Sequence, residues 1–431
     1  MKQQFMEVAG KVSQMLRIDD DPLKICLLSY RSNPHCGGQG VYVKNLSRSL
    51  QDLGHQVDIV SGPPVFVSDN GIRIHPLPGL DLYNPDHLFR VPSVSELMDP
   101  VNLVEWLGVC SMGFPEPYTF GQRAFKLLKK TARRYDIVHD NQSLSYGVRK
   151  ISRLAPTIAT IHHPITVDRD LAVRSAKTFW KKLKEMRWYA FIRMQKRVAK
   201  TFSHIITVSK HSRRDISTEF RIPPGRFRII PNGVDTTLFF PMPAVKREPN
   251  RIIVTNSADT PLKGLPYLLK ALSILSKTRD AKLVVIGAPK KNGGIETLIR
   301  DLDIANRIVF TGRIDQKEFV TQYARAAVAV IPSVYEGFGL PAIEAMACAV
   351  PVVSTTGGAL PEVVDNAGIL VPPKNEQALA DAIAAIFDNP EQASRLGRAG
   401  YKRVQEHFSW NKAAEKTVAA YRETIRAFHR R

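Results

Sequence analysis

Nowhere does this 431-residue chain hold an uninterrupted apolar run near the ~20 residues that a membrane-crossing helix needs. The first twenty residues are mixed and charged. They lack the apolar core and small-residue cleavage site of a secretory signal, so the expected location is the cytoplasm. Cysteine is scarce. Cys26, Cys36, Cys110 and Cys348 lie far apart, in no metal-ligand or redox spacing, and read as reduced, mostly buried thiols. A complete Gly-x-Gly-x-x-Gly fingerprint is also missing, which argues against a nicotinamide-dependent oxidoreductase. No segment is compositionally disordered, and no repeat of solenoid period is present.

Acidic residues are in short supply in one region. The whole chain carries a net charge of +21, and residues 121–230 hold 26 Lys plus Arg against 7 Asp plus Glu, a net of +19. A one-sided basic field attracts an anionic partner: nucleic acid, an acidic membrane surface or an anionic substrate. The plain alternative is a well-solvated helical face. No nucleic-acid-binding module accompanies the charge, so nucleic acid is not an expected partner.

What is present is an alternation of apolar runs and amphipathic segments, in a chain too long for one core. That alternation predicts parallel α/β sheets. The first unit reads as a strand over 24–29, a glycine-rich turn, and a helix from about 40 to 53, with further strands at 57–60, 137–139, 157–161, 204–208 and 227–230. Residues 62–120, rich in Pro, Asp and aromatics, break the pattern, and long excursions of this kind are usually functional. Pro231, Asn232 and Gly233, followed by Pro241, Pro243 and Pro249, read as a linker. A second alternation follows, with strands at 252–255, 282–286, 308–310, 328–331 and 351–354, then three long helices from 376 to 428. The expected fold is α/β, two Rossmann-like doubly wound parallel sheets. The expected division is a leader over 1–21, an N-terminal domain over 22–235, a C-terminal domain over 236–410, and a last helix over 411–431 packing back on the first domain.

Two turns carry candidate chemistry. Gly37, Gly38, Gln39 and Gly40 lie between a strand and its helix, where bare backbone amides suit a phosphate, though a plain tight turn reads equally well. Residues 336–347, EGFGLPAIEAMA, say more. They open a helix with Pro341 near its first position, where proline is well tolerated. Two preceding glycines leave amides bare at the positive end of a helix dipole, which suits a diphosphate. Glu336 and Glu344 bracket that site, and carboxylates there suit the hydroxyls of a sugar and a ribose.

On these residues the chain resembles the family 4 (group 1) retaining glycosyltransferases of the GT-B fold, whose Glu-x7-Glu signature matches Glu336 and Glu344. The resemblance runs from about residue 23 to 425. Other matching pieces are Gly37-Gly38, Thr160-Ile161-His162, the ITVS of 206–209, the IPNGVD of 230–235, Lys263-Gly264, the FTGR of 310–313, Gly357-Gly358 with Pro361-Glu362, and Phe408-Ser409-Trp410. It implies two Rossmann-like domains facing across a cleft and sugar transfer from a nucleotide-diphosphate sugar, a UDP-sugar favoured, to a glycan or lipid-linked acceptor. Glu336, His162 and Lys263 are then the catalytic group. Glu336 would contact the donor sugar, His162 would lie beside it, and Lys263 would neutralise the departing diphosphate. Gly37, Gly38, Arg313, Phe338, Gly339, Leu340 and Glu344 would bind the donor, with Glu344 on the ribose diol. The plain reading of His162 is a satisfied core histidine at a strand end. No cofactor is implied beyond the substrate, and no metal, since no Asp-x-Asp motif is placed to hold one. Retention implies attack from the leaving group's own face, the departing phosphate taking the acceptor's proton.

Two departures stand out. The family's usual arginine five residues before the lysine is replaced by Ala258, which opens the alternative of a catalytically impaired homologue that binds a sugar nucleotide or a membrane. Ala349 stands where glycine is common. One stretch stays open to two readings. From Lys177 to Lys200, lysines and arginines mix with Trp180, Trp188, Tyr189 and Phe191, and Glu185 is the only acid. A helix of this kind fits the headgroup layer of an anionic membrane, making the protein peripheral on its cytoplasmic face. Alternatively Phe191, Met194 and Val198 face the core and the charges merely solvate the outside.

Overall fold

The computed structural model describes residues 21–32, 38–65, 71–84, 90–176, 178–255, 260–289 and 293–430. It divides into two compact units. One comprises the chain up to Thr207, with Ile216–Ile230 and the segment from Ala414 onward; the other comprises Val208–Asp215 and Pro231–Ala413.

The first unit is built on a parallel sheet of seven strands. These are β1 (Lys24–Ser29), β2 (Gln56–Ser61), β3 (Arg73–Pro76), β4 (Ile137–Asn141), β5 (Thr157–Ile161), β6 (Ile205–Thr207) and β7 (Phe227–Ile229), in the spatial order β3-β2-β1-β4-β5-β6-β7. The second is built on six: β8 (Arg251–Thr255), β9 (Lys282–Ile286), β10 (Ile308–Phe310), β11 (Val328–Ile331), β12 (Val352–Thr355) and β13 (Ile369–Val371), in the order β10-β9-β8-β11-β12-β13. Every pairing between these strands is parallel. Runs such as IVHDN of β4 and VAVI of β11 are buried along their whole length, as strands covered on both faces must be.

Both sheets reverse direction once. Strand order runs one way from β1 to β3 and the other from β4 to β7, and it switches likewise between β8 and β11. Doubly wound sheets bind ligands outside the carboxyl ends of the strands at such a switch, because the two connecting loops diverge there and leave a crevice.

The excursion over 62–120 is more regular than its composition suggests. It supplies edge strand β3 and the helices Val94–Leu97, Pro100–Cys110 and Glu116–Leu128. The helix Pro100–Cys110 buries only Glu105, which pairs with Arg123, so it carries little apolar periodicity to read. The described cysteines are mostly buried, as expected. Cys26 and Cys348 are buried, Cys110 is exposed, and Cys36 lies outside the described residues.

Candidate functional site

At the second unit's switch point, the loops after β8 and β11 bring Lys263 and Glu336 together. Lys263 ends the short turn Pro261–Lys263, and Gly264 follows at φ 69 before the helix Leu265–Leu275. A Cβ on Gly264 would stand 1.9 Å from the carbonyl oxygen of Pro332, so only glycine lets this turn lie against the loop after β11. The Val334 N–H donates to the Leu262 carbonyl (2.8 Å) and fastens the two loops. Lys263 Nζ then reaches Glu336 Oε1 at 2.7 Å, and Ser333 Oγ donates to the same oxygen at 2.8 Å.

The glycine-rich loop is held from behind. Ser209 and Ser212 hydroxyls donate to the Gly337 carbonyl (2.9 and 3.0 Å). The Ala359 N–H donates to the Glu336 carbonyl (2.8 Å), where Gly358, at φ 67, leaves no room for a side chain: its Cβ would lie 2.1 Å from that oxygen. The Glu362 carboxylate accepts the backbone N–H of Lys210 (2.8 Å) and of His211 (2.6 Å). The ITVS and Pro361-Glu362 pieces of the sequence are thus the brace of the loop. Sequence reasoning noticed them without giving them a task.

Gly339 is the N-cap of the helix Leu340–Ala347, and Pro341 sits in its first turn. In that first turn Pro341 has no N–H and the Ala342 N–H donates to the Gly339 carbonyl (3.0 Å), which leaves the Leu340 N–H as the first-turn donor with no intrahelical acceptor. Phe338 places its ring in the core, edge-on to Phe408 at 5.8 Å, so only its backbone is available to a ligand. Leu340 is half-buried. Glu344, half-buried one turn into the helix, has its pKa pushed up to about 7 by burial, against the opposing pull of the Tyr323 hydroxyl and the Lys263 charge. Arg313, expected to help bind the donor, is exposed beyond β10, two strands from β8 in the sheet order. Ala258 lies outside the described residues.

The first unit's switch point holds the remaining candidates. Gly38 is the exposed first residue of the helix Gly38–Asp52 that follows β1; Gly37 lies outside the described residues. His162 follows β5 and is half-buried. Its Nε2 lies 2.8 Å from Asn141 Oδ1, and its backbone N–H donates to Gln142 Oε1 at 2.7 Å. Burial, with the neighbouring His163 and His139, drives the His162 pKa down to about 3, so the ring is neutral. His163 differs: its Nε2 pairs with Asp168 Oδ2 at 2.9 Å. Asn141 and Gln142 were not among the residues the sequence singled out. A polar side chain at a strand end shows its purpose only once the neighbouring strand is in place. Among the described residues, no group of three or more His, Cys, Asp or Glu is arranged to hold a metal.

Comparison with known proteins shows the family and the fold. The model of Glycosyltransferase Family 4 matches residues 36–238, and that of Glycosyl transferases group 1 matches residues 240–403. The chain is 44% identical to the MMP alpha-(1->4)-mannosyltransferase of Mycolicibacterium hassiacum, over 94% of this chain and 98% of that one. It is 28% identical, over 48% of this chain and 59% of the other, to the GDP-mannose-dependent monoacylated alpha-(1-6)-phosphatidylinositol monomannoside mannosyltransferase of Corynebacterium glutamicum. Among solved structures, sucrose-phosphate synthase from Thermosynechococcus elongatus superposes with a TM-score of 0.71 at 24% identity, over 94% of this chain and all of that one, so the fold is that of the GT-B glycosyltransferases. Two parallel-sheet units, the Glu336–Glu344 helix entry and a mannosyltransferase relative at this identity lead to one statement: the chain is a glycosyltransferase and belongs to family 4, group 1.

Proposed function

We propose that the protein transfers a mannosyl group from a nucleotide-diphosphate mannose to a mannose-containing acceptor, with retention of configuration and without a metal ion. The observation that carries this reading is the Lys263–Glu336 contact beside the helix entry at Leu340. A fixed cation and the Leu340 N–H at the positive end of the helix offer a diphosphate the positive charge that a divalent ion otherwise supplies. Glu336 then serves the sugar hydroxyls and Glu344 the ribose, and His162 keeps the role beside the sugar that the resemblance implies. The leaving oxygen accepts the acceptor's proton as its bond to the anomeric carbon breaks, so no enzymic nucleophile is required. The mannosyl preference comes from the names of the two relatives. One of them is named GDP-mannose-dependent, which puts GDP-mannose ahead of the UDP-sugar expected from sequence. A panel of GDP-mannose, UDP-glucose and UDP-galactose with an α-linked mannoside acceptor tests it. Product from GDP-mannose alone is expected, and product only from a UDP-hexose would overturn the mannosyl reading.

The basic stretch supports a second, narrower proposal. Its C-terminal part, the helix Ile192–Ala199, buries Ile192, Met194 and Val198 in the core, so it is no membrane element. The helix Phe179–Trp188 buries nothing, and Phe179 and Trp180 are 71% and 76% exposed among Lys181, Lys182 and Lys184. We infer that this helix rests on anionic lipid, aromatics in the headgroup layer and lysines on the phosphates. No described helix is long and apolar enough to cross a membrane. Co-sedimentation with vesicles containing phosphatidylglycerol, lost at high salt and in a Phe179→Ser/Trp180→Ser variant, is the expected result. Equal recovery in the supernatant with neutral and anionic vesicles at low salt would refute it.

A further inference from the structure

A neutral imidazole carries one proton, and the hydrogen bond made by one ring nitrogen decides what the other can do. The surroundings of His162 settle that choice. Asn141 closes β4 with its side chain buried, only 2% of the residue being exposed. Its Nδ2 donates to the backbone carbonyl of Gln39 (3.3 Å), in the first turn of the helix Gly38–Asp52. A carbonyl oxygen only accepts, so the amide nitrogen faces Gln39 and Oδ1 faces His162. An amide oxygen also only accepts. The proton of His162 therefore sits on Nε2, 2.8 Å from Oδ1, and Nδ1 carries a lone pair.

The rest of the loop after β4 fixes the ring's position. Gln142 accepts the His162 N–H and donates from Nε2 to the His163 carbonyl (3.1 Å). Gln195 Nε2 donates to the Gln142 carbonyl (3.0 Å) and anchors the loop to the helix Ile192–Ala199. The Tyr42 ring stands edge-on to His162 at 4.7 Å, and the Tyr42 hydroxyl bonds Thr160 Oγ1 (3.0 Å), which lies 2.7 Å from Nε2 of buried His139.

We propose that Asn141 is a positioning residue, which holds His162 in the Nε2–H tautomer and ties that ring to the first turn of the helix that Gly38 begins. Any group meeting Nδ1 must then donate to it, and a sugar hydroxyl does so where a phosphate oxygen cannot. The link couples His162 to the turn that Gly38 begins through one amide, so both keep a fixed spacing at the switch between β1 and β4. The catalytic consequence rests on the reading of His162 as the residue beside the donor sugar; the tautomer does not.

The test uses the full chain labelled with 15N-histidine at neutral pH, with the His162 signals assigned by their loss in His162→Gln. A protonated Nε2 and an unprotonated Nδ1 are expected in the unsubstituted protein. Asn141→Ala should lose that pattern for a mixed tautomer, with kcat/KM for the donor down about tenfold, the worth of one hydrogen bond. Asn141→Asp should keep Nε2–H and restore part of the rate. Its carboxylate would raise the His162 pKa, so the pH profile should gain an ionisation the unsubstituted enzyme lacks. Melting temperatures within a few degrees of the parent show that both variants fold; if Asn141→Ala does not, Asn141→Asp carries the test. A proton on Nδ1 in the parent, or an Asn141→Ala protein with an unchanged imidazole spectrum and rate, would overturn the proposal. Absence of any mannosyl transfer by the parent would instead count against the function assigned above, and the spectrum would still decide the tautomer.

Discussion

Replacing Glu344 by glutamine removes a titration without removing volume. In the folded protein without ligand, the Glu344 carboxyl has a pKa of about 7 against an ordinary value of 4.5, so between those values the folded state holds a proton that the unfolded chain has released. Stability contributed by that proton is complete below pH 4.5 and is lost as pH rises through about 7. At roughly 1.4 kcal/mol per pH unit, the gap amounts to about 3 kcal/mol. Because the side chain is only half-buried, that figure is an upper bound, and about 1–3 kcal/mol is expected. Glu344→Gln should therefore match or trail the parent at pH 5, gain on it as pH rises to about 7, and keep that gain to pH 8.5. The gain should read as a relative rise in melting temperature of a few degrees. Scanning calorimetry of both proteins across that range measures it. Donor binding should move the opposite way. The parent should bind a nucleotide sugar more tightly above pH 7, where an ionised carboxylate accepts the ribose hydroxyls, while the variant binds weakly at every pH. Two melting curves that run parallel from pH 5 to 8.5 would refute the reasoning.

The other expectations are simpler. Lys263→Ala should lower kcat by about 10²–10³, since the leaving diphosphate loses its fixed cation; steady-state rates at saturating donor check it. Gly264→Ala should cost several kcal/mol or fail to fold, because the new Cβ would meet the Pro332 carbonyl at 1.9 Å, and thermal melting of the purified protein reads the loss. Ala349 holds φ 53, left-handed backbone that disfavours a side chain, so Ala349→Gly should stabilise the protein by about 1 kcal/mol; an unchanged melting temperature would contradict this. Enzyme dialysed against EDTA should keep its rate, and recovery only on adding Mg²⁺ or Mn²⁺ would refute metal independence.

Much of this architecture was legible because parallel sheets bury both faces and leave continuous apolar runs. The strands at 24–29, 157–161, 282–286 and 328–331 fall where the runs predict them. Strands β3 and β13 escaped notice for the opposite reason: they are short and lie at sheet edges, with few buried side chains. The helices between 94 and 128 were hidden by Pro100, Pro115 and Pro117, and by a helix whose one buried residue is a glutamate. At the site, Glu336 and Lys263 could be named because glycines and prolines advertise a helix entry. That they touch could not be read, since 73 residues separate them. The partition of the basic stretch was also out of reach. Phe179 and Val198 look alike in sequence, yet one is 71% exposed and the other fully buried.

The central claim is that Glu336, held at the switch point of the second sheet, acts on the sugar of a nucleotide-diphosphate mannose. Parent enzyme and Glu336→Ala should be compared side by side for transfer of labelled mannose from GDP-mannose to an α-mannoside acceptor, with donor affinity and melting temperature measured on the same preparations. The account predicts a rate at least about 100-fold lower for the variant, with the fold intact and GDP still bound through the helix entry and Glu344. A variant that transfers mannose at the parent's rate would contradict it.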